Sequence, residues 1–393
     1  MGASLDAVSR GLREDASGVR VQAEWAKIGH LATRLGGQCT APLAAGKDRK
    51  KVRTMGRVAR LALTATEAAL SDAGLDEEVV RHPRTGLAYG STHGSSSAYV
   101  DFARPLLARD SFEGLPSTSY LKFMSHTCAA NLAQYYGVQG RVISTCAACV
   151  SGSQAIGAGL EAIRAGKADV MICGGAEELH WTHAGVFDIM YATSTRYNER
   201  PSASPRPFDA ARDGLVIAEG AGTVVLEDLE RARARGAHVH AEVLGYGANC
   251  DGTHVTNPSA EGMAAAIRLG LEDARVAPEA IDYVNAHATA TEVGDLAESH
   301  AMHAVFGATT PVSSSKGFMG HTLGACGAIE VGLCVAMMRD GFLAPTKNLH
   351  SVDPRCAPLD HVMGAAREAR PRVVMSNNFA FGGINTSLIL RRA

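Results

Sequence analysis

Two cysteines lie in a run of small residues, Ser144-Thr145-Cys146-Ala147-Ala148-Cys149-Val150-Ser151-Gly152. An apolar stretch precedes them, and Ile156, Leu160 and Ile163 follow at helical spacing. Cys149 therefore falls where a strand gives way to a helix. A thiol there faces unpaired backbone N–H groups and the positive end of the helix dipole, which lower its pKa and can hold an oxyanion. Small neighbours leave room for a tight turn and for a substrate. That pattern reads as a nucleophile at Cys149, with Ser151 and Gly152 opening the helix. Three other readings stay open on this segment alone. One is a buried structural thiol, and another is a redox pair made of Cys146 and Cys149. The third is half of a zinc site, which no second such pair completes.

Two histidines and a lysine sit in comparable surroundings. Asn285-Ala286-His287-Ala288-Thr289-Ala290-Thr291 follows the apolar Tyr283-Val284, so His287 emerges at a strand end. Ser313-Ser314-Ser315-Lys316-Gly317-Phe318-Met319-Gly320-His321-Thr322-Leu323-Gly324 puts Lys316 and His321 in a loop of small residues ahead of a helix. Strand carboxyl ends are where α/β proteins gather their sites. A lone loop histidine is more often merely structural, but the three groups have a joint use. Negative charge developing on a thioester oxygen needs donors, and two imidazole N–H groups supply them without a metal. A second oxyanion would need backbone N–H groups, which Ser376-Asn377-Asn378-Phe379-Ala380-Phe381-Gly382-Gly383-Ile384-Asn385 could contribute. Read alone, that tail is a plain glycine turn between strands.

Positioning these groups requires alternating strands and helices. The spacing predicts a helix over 54–73 stopped by Gly74, a strand at Gly86–Tyr89 and another at Val142–Ser144. A helix from about Ser151 to Ala165 stopped by Gly166 and a strand at Val170–Cys173 complete a βαβ unit. Further on come a strand ending at Val284, helices over roughly Gly294–Val305 and Leu323–Met338, and strands near Val373–Met375 and Ser387–Leu390. The fold class is α/β, with sheets covered by helices. Met1-Gly2-Ala3-Ser4 reads as the lead-in to a helix.

Bulk composition removes whole classes of function. A net charge of −2 favours neither nucleic acid nor an anionic membrane surface, and no apolar stretch reaches the ~18–20 residues of a membrane span. The nine cysteines are scattered through apolar segments, which points to reduced, mostly buried thiols in a cytosolic protein. No phosphate-binding loop or metal-ligand spacing appears, so neither a cofactor nor a metal is expected.

Taken together these residues resemble the β-ketoacyl carrier-protein synthases of the elongating type, over nearly the whole chain. The matching segments are Asp48–Met55, Ala147–Gly152, Gly174–Glu178, Arg206–Gly222, Asn285–Asp295, Ser313–Glu330 and Ser376–Asn385. Arg206-Pro207-Phe208-Asp209 with Arg212-Asp213-Gly214 and Glu219-Gly220-Ala221-Gly222 is the most specific of them. The resemblance implies a thiolase-like fold of two pseudo-symmetric βαβαβαββ halves in five α/β layers, divided here as 1–230 and 231–393. It implies Cys149 as acyl acceptor, His287 and His321 as stabilisers of the decarboxylation enolate, and Lys316 paired with Glu330. It assigns the oxyanion hole to the backbone N–H groups of Cys149 and Phe381, the acyl-pocket gate to Phe379 and Phe381, and pantetheine contacts to Thr289 and Thr291. Lys50 and Arg53 resemble the basic patch that meets an acidic acyl carrier protein, whose phosphopantetheine carries the substrates. The set Cys-His-His separates the elongating type from initiating synthases (Cys-His-Asn) and from thiolases (a second Cys). Cys149 also argues against the cysteine-less chain-length subunits.

Three departures bear on the substrate. Ala288 and Ala380 stand where such synthases usually have glycine, and Ile384 where they usually have threonine. Added Cβ atoms beside the catalytic histidine and in the gating loop reshape the channel. They point to a specialised polyketide- or polyene-type pathway ahead of housekeeping fatty-acid synthesis, with a homodimer or a heterodimer with a second synthase-like subunit both open. Relatives usually begin with a strand of the type VVVTGxG, absent before Met1, so a natural start upstream is expected.

Overall fold

Local sequence signals end the long helices where expected, and the helices in turn build two stacked sheets. The computed structural model describes residues 2–46 and 48–393. The expectation placed on Met1 lies outside them, whereas Ser4 caps a helix over Leu5–Arg13. The first sheet holds β1 (Thr85–Gly90), β2 (Val142–Thr145), β3 (Val170–Glu177) and β4 (Gly220–Glu227), in the order β2-β1-β3-β4. β1 runs parallel to both β2 and β3, and β4 returns antiparallel to β3. The second sheet holds β5 (Ala241–Cys250), β6 (Tyr283–Asn285), β7 (Pro311–Ser313), β8 (Asp360–His361), β9 (Val373–Ala380) and β10 (Ile384–Arg392), in the order β8-β7-β6-β9-β10-β5.

The helices that matter here are α1 (Arg57–Ala73), α2 (Ser96–Arg109), α3 (Ser151–Arg164), α4 (Trp181–Ile189), α5 (Ala260–Ala274), α6 (Glu292–Phe306) and α7 (Cys326–Asp340). α1 covers the outer face of the first sheet, and α5 with α6 covers the outer face of the second. α3 and α7 lie between the sheets and touch both, which makes five layers. Helices buried on every side lose their polar face, and α3 and α7 show this. Ala155, Ile156 and Leu160 of α3 and Val331, Leu333, Cys334 and Met337 of α7 are all buried. The two helices open so close together that a Cβ on Gly327 would stand 2.7 Å from the Ser153 backbone nitrogen.

The expected elements appear at these places, with informative shifts. α1 starts at Arg57 rather than 54 and stops at Gly74, whose φ of 61° is open to glycine without strain. β3 continues to Glu177, four residues past its apolar run, because Gly174–Glu177 stay buried between neighbours. The segment expected as one helix from Leu323 opens as a 3₁₀ turn, Leu323–Ala325, before α7 begins. No helix of the described residues is long and apolar enough to cross a membrane.

Candidate active site

Cys149 sits on a short 3₁₀ turn, Ala148–Val150, that joins β2 to α3. The residue before it, Ala148, has φ 47°, a left-handed conformation that costs a non-glycine residue about 1–3 kcal/mol. The turn is anchored by Ser151, whose Oγ donates to the Ala148 carbonyl at 2.7 Å and accepts from the Ala147 N–H at 2.9 Å. This strained elbow buries Cys149 beside Leu323 and Cys326 of the other half. Cys146 faces elsewhere. Its thiol is exposed and meets the Thr92 carbonyl at 2.8 Å.

The two histidines arrive from the second half. His321 Nε2 lies 2.9 Å from Cys149 Sγ, and the rings of His287 and His321 meet edge-on at 5.1 Å between centroids. Ligand-type atoms of Cys149, His287 and His321 all fall within 4.8 Å of one another, and all three residues are buried. Each histidine is held by its backbone. The His287 and Ala288 N–H groups donate to the two carboxylate oxygens of Glu298 at 2.7 and 2.6 Å, while His321 N–H donates to the Val216 carbonyl at 2.7 Å.

Below them lies a buried ion pair. Lys316 Nζ and Glu330 Oε1 are 2.5 Å apart, and Asn378 Nδ2 donates to the other Glu330 oxygen at 2.7 Å. The same amide reaches toward His287 Nδ1 at 3.5 Å. Burial works against the Lys316 charge, but the Glu330 carboxylate outweighs it and holds the lysine pKa above its usual value. Burial, reinforced by the Lys316 charge, draws both histidines well below the usual imidazole range. Both rings are therefore neutral near pH 7, the state in which an imidazole offers one N–H without carrying a charge.

Burial also pushes the Cys149 thiol up to about 12, with Lys316 pulling the other way. The expectation of a lowered thiol pKa is thus corrected. Around the resting thiol, desolvation outweighs the pull of the lysine. His321 Nε2, at 2.9 Å, is in reach of the thiol proton.

Of the other residues singled out from sequence, Phe379 stands 6.3 Å from the His287 ring and Phe381 stands 5.4 Å from Phe187 of α4. Ala380, between them, packs against the apolar cluster that contains Cys149. Thr289 and Thr291 share a 3.1 Å hydroxyl contact on the loop after His287. Ala288 is buried and Ile384 half-buried, so both departures lie in packed surroundings. Lys50 and Arg53 are exposed on and just after the short helix Arg49–Val52, whose packing partner is the helix Thr127–Tyr136 rather than the site.

The arginine-rich signature is structural support. Arg212 pairs with Asp353 at 2.7 Å and donates to the Thr291 and Glu292 carbonyls, tying down the loop that follows His287. Asp295 accepts from Phe208 and Ala290 N–H groups, and Arg57 grips Glu219 through two hydrogen bonds. Sequence reading missed Glu298, Asn378 and Glu177 as individual residues. Glu298 had a signal, a carboxylate on the buried face of α6 beside Asp295 and Met302.

A five-layered stack of paired sheets whose centre joins a buried cysteine to two imidazoles defines a thiolase-fold acyl-transfer enzyme. Comparison narrows the class. The chain matches the family model "Beta-ketoacyl synthase, N-terminal domain" over residues 2–232 and "Beta-ketoacyl synthase, C-terminal domain" over 240–350. It is 37% identical, over all of this chain and 96% of the relative, to 3-oxoacyl-[acyl-carrier-protein] synthase 1 of Haemophilus influenzae. A crystal structure of a β-ketoacyl synthase from Burkholderia phymatum is 48% identical with a TM-score of 0.96, covering 99% of this chain and 96% of that one. The ishigamide ketosynthase/chain length factor is 32% identical with a TM-score of 0.91, over 99% and 95%. The chain belongs to the β-ketoacyl synthase family and is an acyltransferase.

Proposed function

We propose that this protein catalyses decarboxylative condensation of an acyl group carried on Cys149 with malonyl carrier protein. The observation that carries the reading is the buried meeting of Cys149, His287 and His321. In the first half-reaction Cys149 Sγ attacks the thioester carbonyl of an acyl carrier protein. A bond from the acyl carbon to Cys149 sulfur forms, the bond to the pantetheine sulfur breaks, and the thiol proton leaves with the pantetheine thiol by way of His321. In the second, the malonyl C–C bond to its carboxylate breaks and CO2 departs. Its electron pair forms an enolate whose oxygen accepts from the neutral His287 and His321 N–H groups. The enolate carbon then bonds to the acyl carbon, the acyl–sulfur bond breaks, and the Cys149 thiolate so released takes a proton from solvent to restore the thiol.

Backbone N–H groups of Cys149 and Phe381 serve the oxyanion formed on the acyl carbon. Lys316 and Glu330 position the histidines and set their field, Phe379 and Phe381 border the acyl path, and Thr289 and Thr291 meet the pantetheine arm. Lys50 and Arg53 contact the acidic carrier protein. The division into halves at 1–230 and 231–393 is supported by the two family matches changing over between 232 and 240. The reaction requires no free cofactor, because the substrates come on phosphopantetheine. Alanine at 288 and 380, where such synthases usually have glycine, favours a specialised polyketide- or polyene-type chain.

A second reading, a catalytically weak partner subunit, draws on the solved ketosynthase/chain length factor pair. An intact Cys149 with both histidines weighs against it, while leaving a heterodimer with such a partner open. Intact mass after incubation with a panel of acyl carrier-protein thioesters separates the two. An acyl adduct on the wild type and on Cys146→Ala, absent from Cys149→Ala, is expected. No adduct with any donor, or an adduct that survives in Cys149→Ala, overturns the assignment.

A further inference from the structure

Three histidines outside the catalytic trio crowd one end of α4. His183 and His93 meet edge-on at 5.2 Å between ring centroids, and His180 lies 6.4 Å from His183. His183 is 8% exposed, and its Nε2 is 2.6 Å from the hydroxyl of Ser96, which is itself buried at the start of α2. The other ring nitrogen, Nδ1, is buried without a well-formed hydrogen bond, the Glu178 carbonyl being its nearest support. A buried imidazole nitrogen left in that state costs stability unless something completes it. None of these groups takes part in the chemistry at Cys149.

Their place relative to Cys149 is set by two elements. The loop Ser91–Ser95 lies along the cysteine elbow, since the Thr92 carbonyl takes the Cys146 thiol and the Ser91 carbonyl faces Ser151 Oγ at 3.4 Å. α4 sends Ala184 and Phe187 into the apolar cluster that holds Cys149, and Phe187 packs on Phe381. His183 is the neighbour of Ala184 on the first turn of α4, so the cluster borders the apolar surroundings of Cys149. We propose that this cluster selects the acyl group: a chain bearing an oxygen function, keto or hydroxyl, toward its far end, in preference to a saturated hydrocarbon. This inference rests on the condensing reading above and names its substrate class.

The chemistry of the cluster fits a neutral oxygen. Burial draws His183 down to about 3 and lowers His180 as well, so neither is a cation that would call for a carboxylate. The Ser96 hydroxyl can donate to or accept from His183 Nε2, so Nδ1 can take the opposite role, as a donor shared with the Glu178 carbonyl or as an acceptor. Either a carbonyl or a hydroxyl can therefore be bound by a tautomer change alone. An alkyl chain in the same position would leave the imidazole edges unpaired, and sites built to hydrogen-bond discriminate strongly against analogues that lack the group.

The test uses pantetheine thioesters in matched pairs of equal chain length, one saturated and one carrying a distal keto or hydroxyl group, with an acetyl thioester as reference. The rate of Cys149 acylation is read by intact mass for the full-length protein and for His183→Leu and His183→Asn. Wild type is expected to prefer the oxygenated donor by about tenfold, the worth of one hydrogen bond. His183→Leu is expected to lose that preference and His183→Asn to keep part of it, with acetyl loading equal in all three. Equal rates for the pair in wild type, or a preference unchanged in His183→Leu, overturns the inference while acetyl loading leaves the condensing reading standing. Failure of every donor, acetyl included, overturns both.

Discussion

Two elbows face each other at the centre of the molecule, one in each half. In the first, Ala148 at φ 47° starts a 3₁₀ turn that becomes α3; in the second, Leu323 at φ 46° starts a 3₁₀ turn that becomes α7. Gly152 and Gly327 follow at equal distances, each pressed against the opposite helix. The backbone device is the same, but the residue after the strained position differs. Cys149 presents a thiol, whereas Gly324 presents only an N–H, which donates to Glu177 of the first half at 3.2 Å. The first elbow carries a buried thiol and the second a cross-half brace. The second half supplies the ionisable groups around that thiol, His287, Lys316, His321 and Glu330. The site is therefore a property of the interface between halves, and neither half holds it alone.

That asymmetry can be broken in order of effect. Cys149→Ala removes the nucleophile from the first elbow, and acylation measured by intact mass should vanish, while Cys146→Ala on the same turn keeps it. Next, Lys316→Ala leaves Glu330 buried without its cation, and stability by denaturant titration should fall by about 3–5 kcal/mol. The paired change Lys316→Met with Glu330→Leu should recover much of this loss, because no buried charge is then left alone. A double variant as unstable as the single one would mean that the pair acts by packing rather than by charge.

Gly324→Ala addresses the second elbow. The new Cβ would stand 2.7 Å from the Thr92 nitrogen, and overpacking of this kind costs about 1–3 kcal/mol. An unchanged melting temperature would show that the Ser91–Thr92 loop yields and that the brace is soft.

The smallest effect concerns Glu177. Burial raises its pKa from the ordinary 4.5 to about 8, against the pull of the Thr92 and Gly324 donors. A carboxyl raised in the folded state adds stability that is fully present below about 4.5 and is lost as pH rises through about 8. Glu177→Gln should flatten the decline in stability between those two values, and chemical denaturation at several pH values reads it. An identical pH slope in the variant would place the titration elsewhere.

Much of the site was legible because its chemistry forces local signatures. A thiol between a strand and a helix start, and histidines at strand ends among glycine, serine and alanine, are visible in one dimension because turns demand small residues. Helix stops at Gly74 and Gly166 were equally plain, since a left-handed C-cap favours glycine. The supporting residues were not legible in that way. Glu298 works through the backbone of His287, and Asn378 through Glu330, so each depends on a partner far along the chain.

By itself the sequence determined the alternation of strands and helices, the candidate site residues and the family to which the chain belongs. Tertiary structure alone decided that Cys149 meets His321 across 172 positions of chain, and that its thiol rests protonated. It also decided that three further histidines gather at the start of α4. The physical reason is the same in each case. Helix and turn propensities act over a few residues, whereas burial, and with it the local dielectric that sets every pKa in the site, exists only once the two halves have packed.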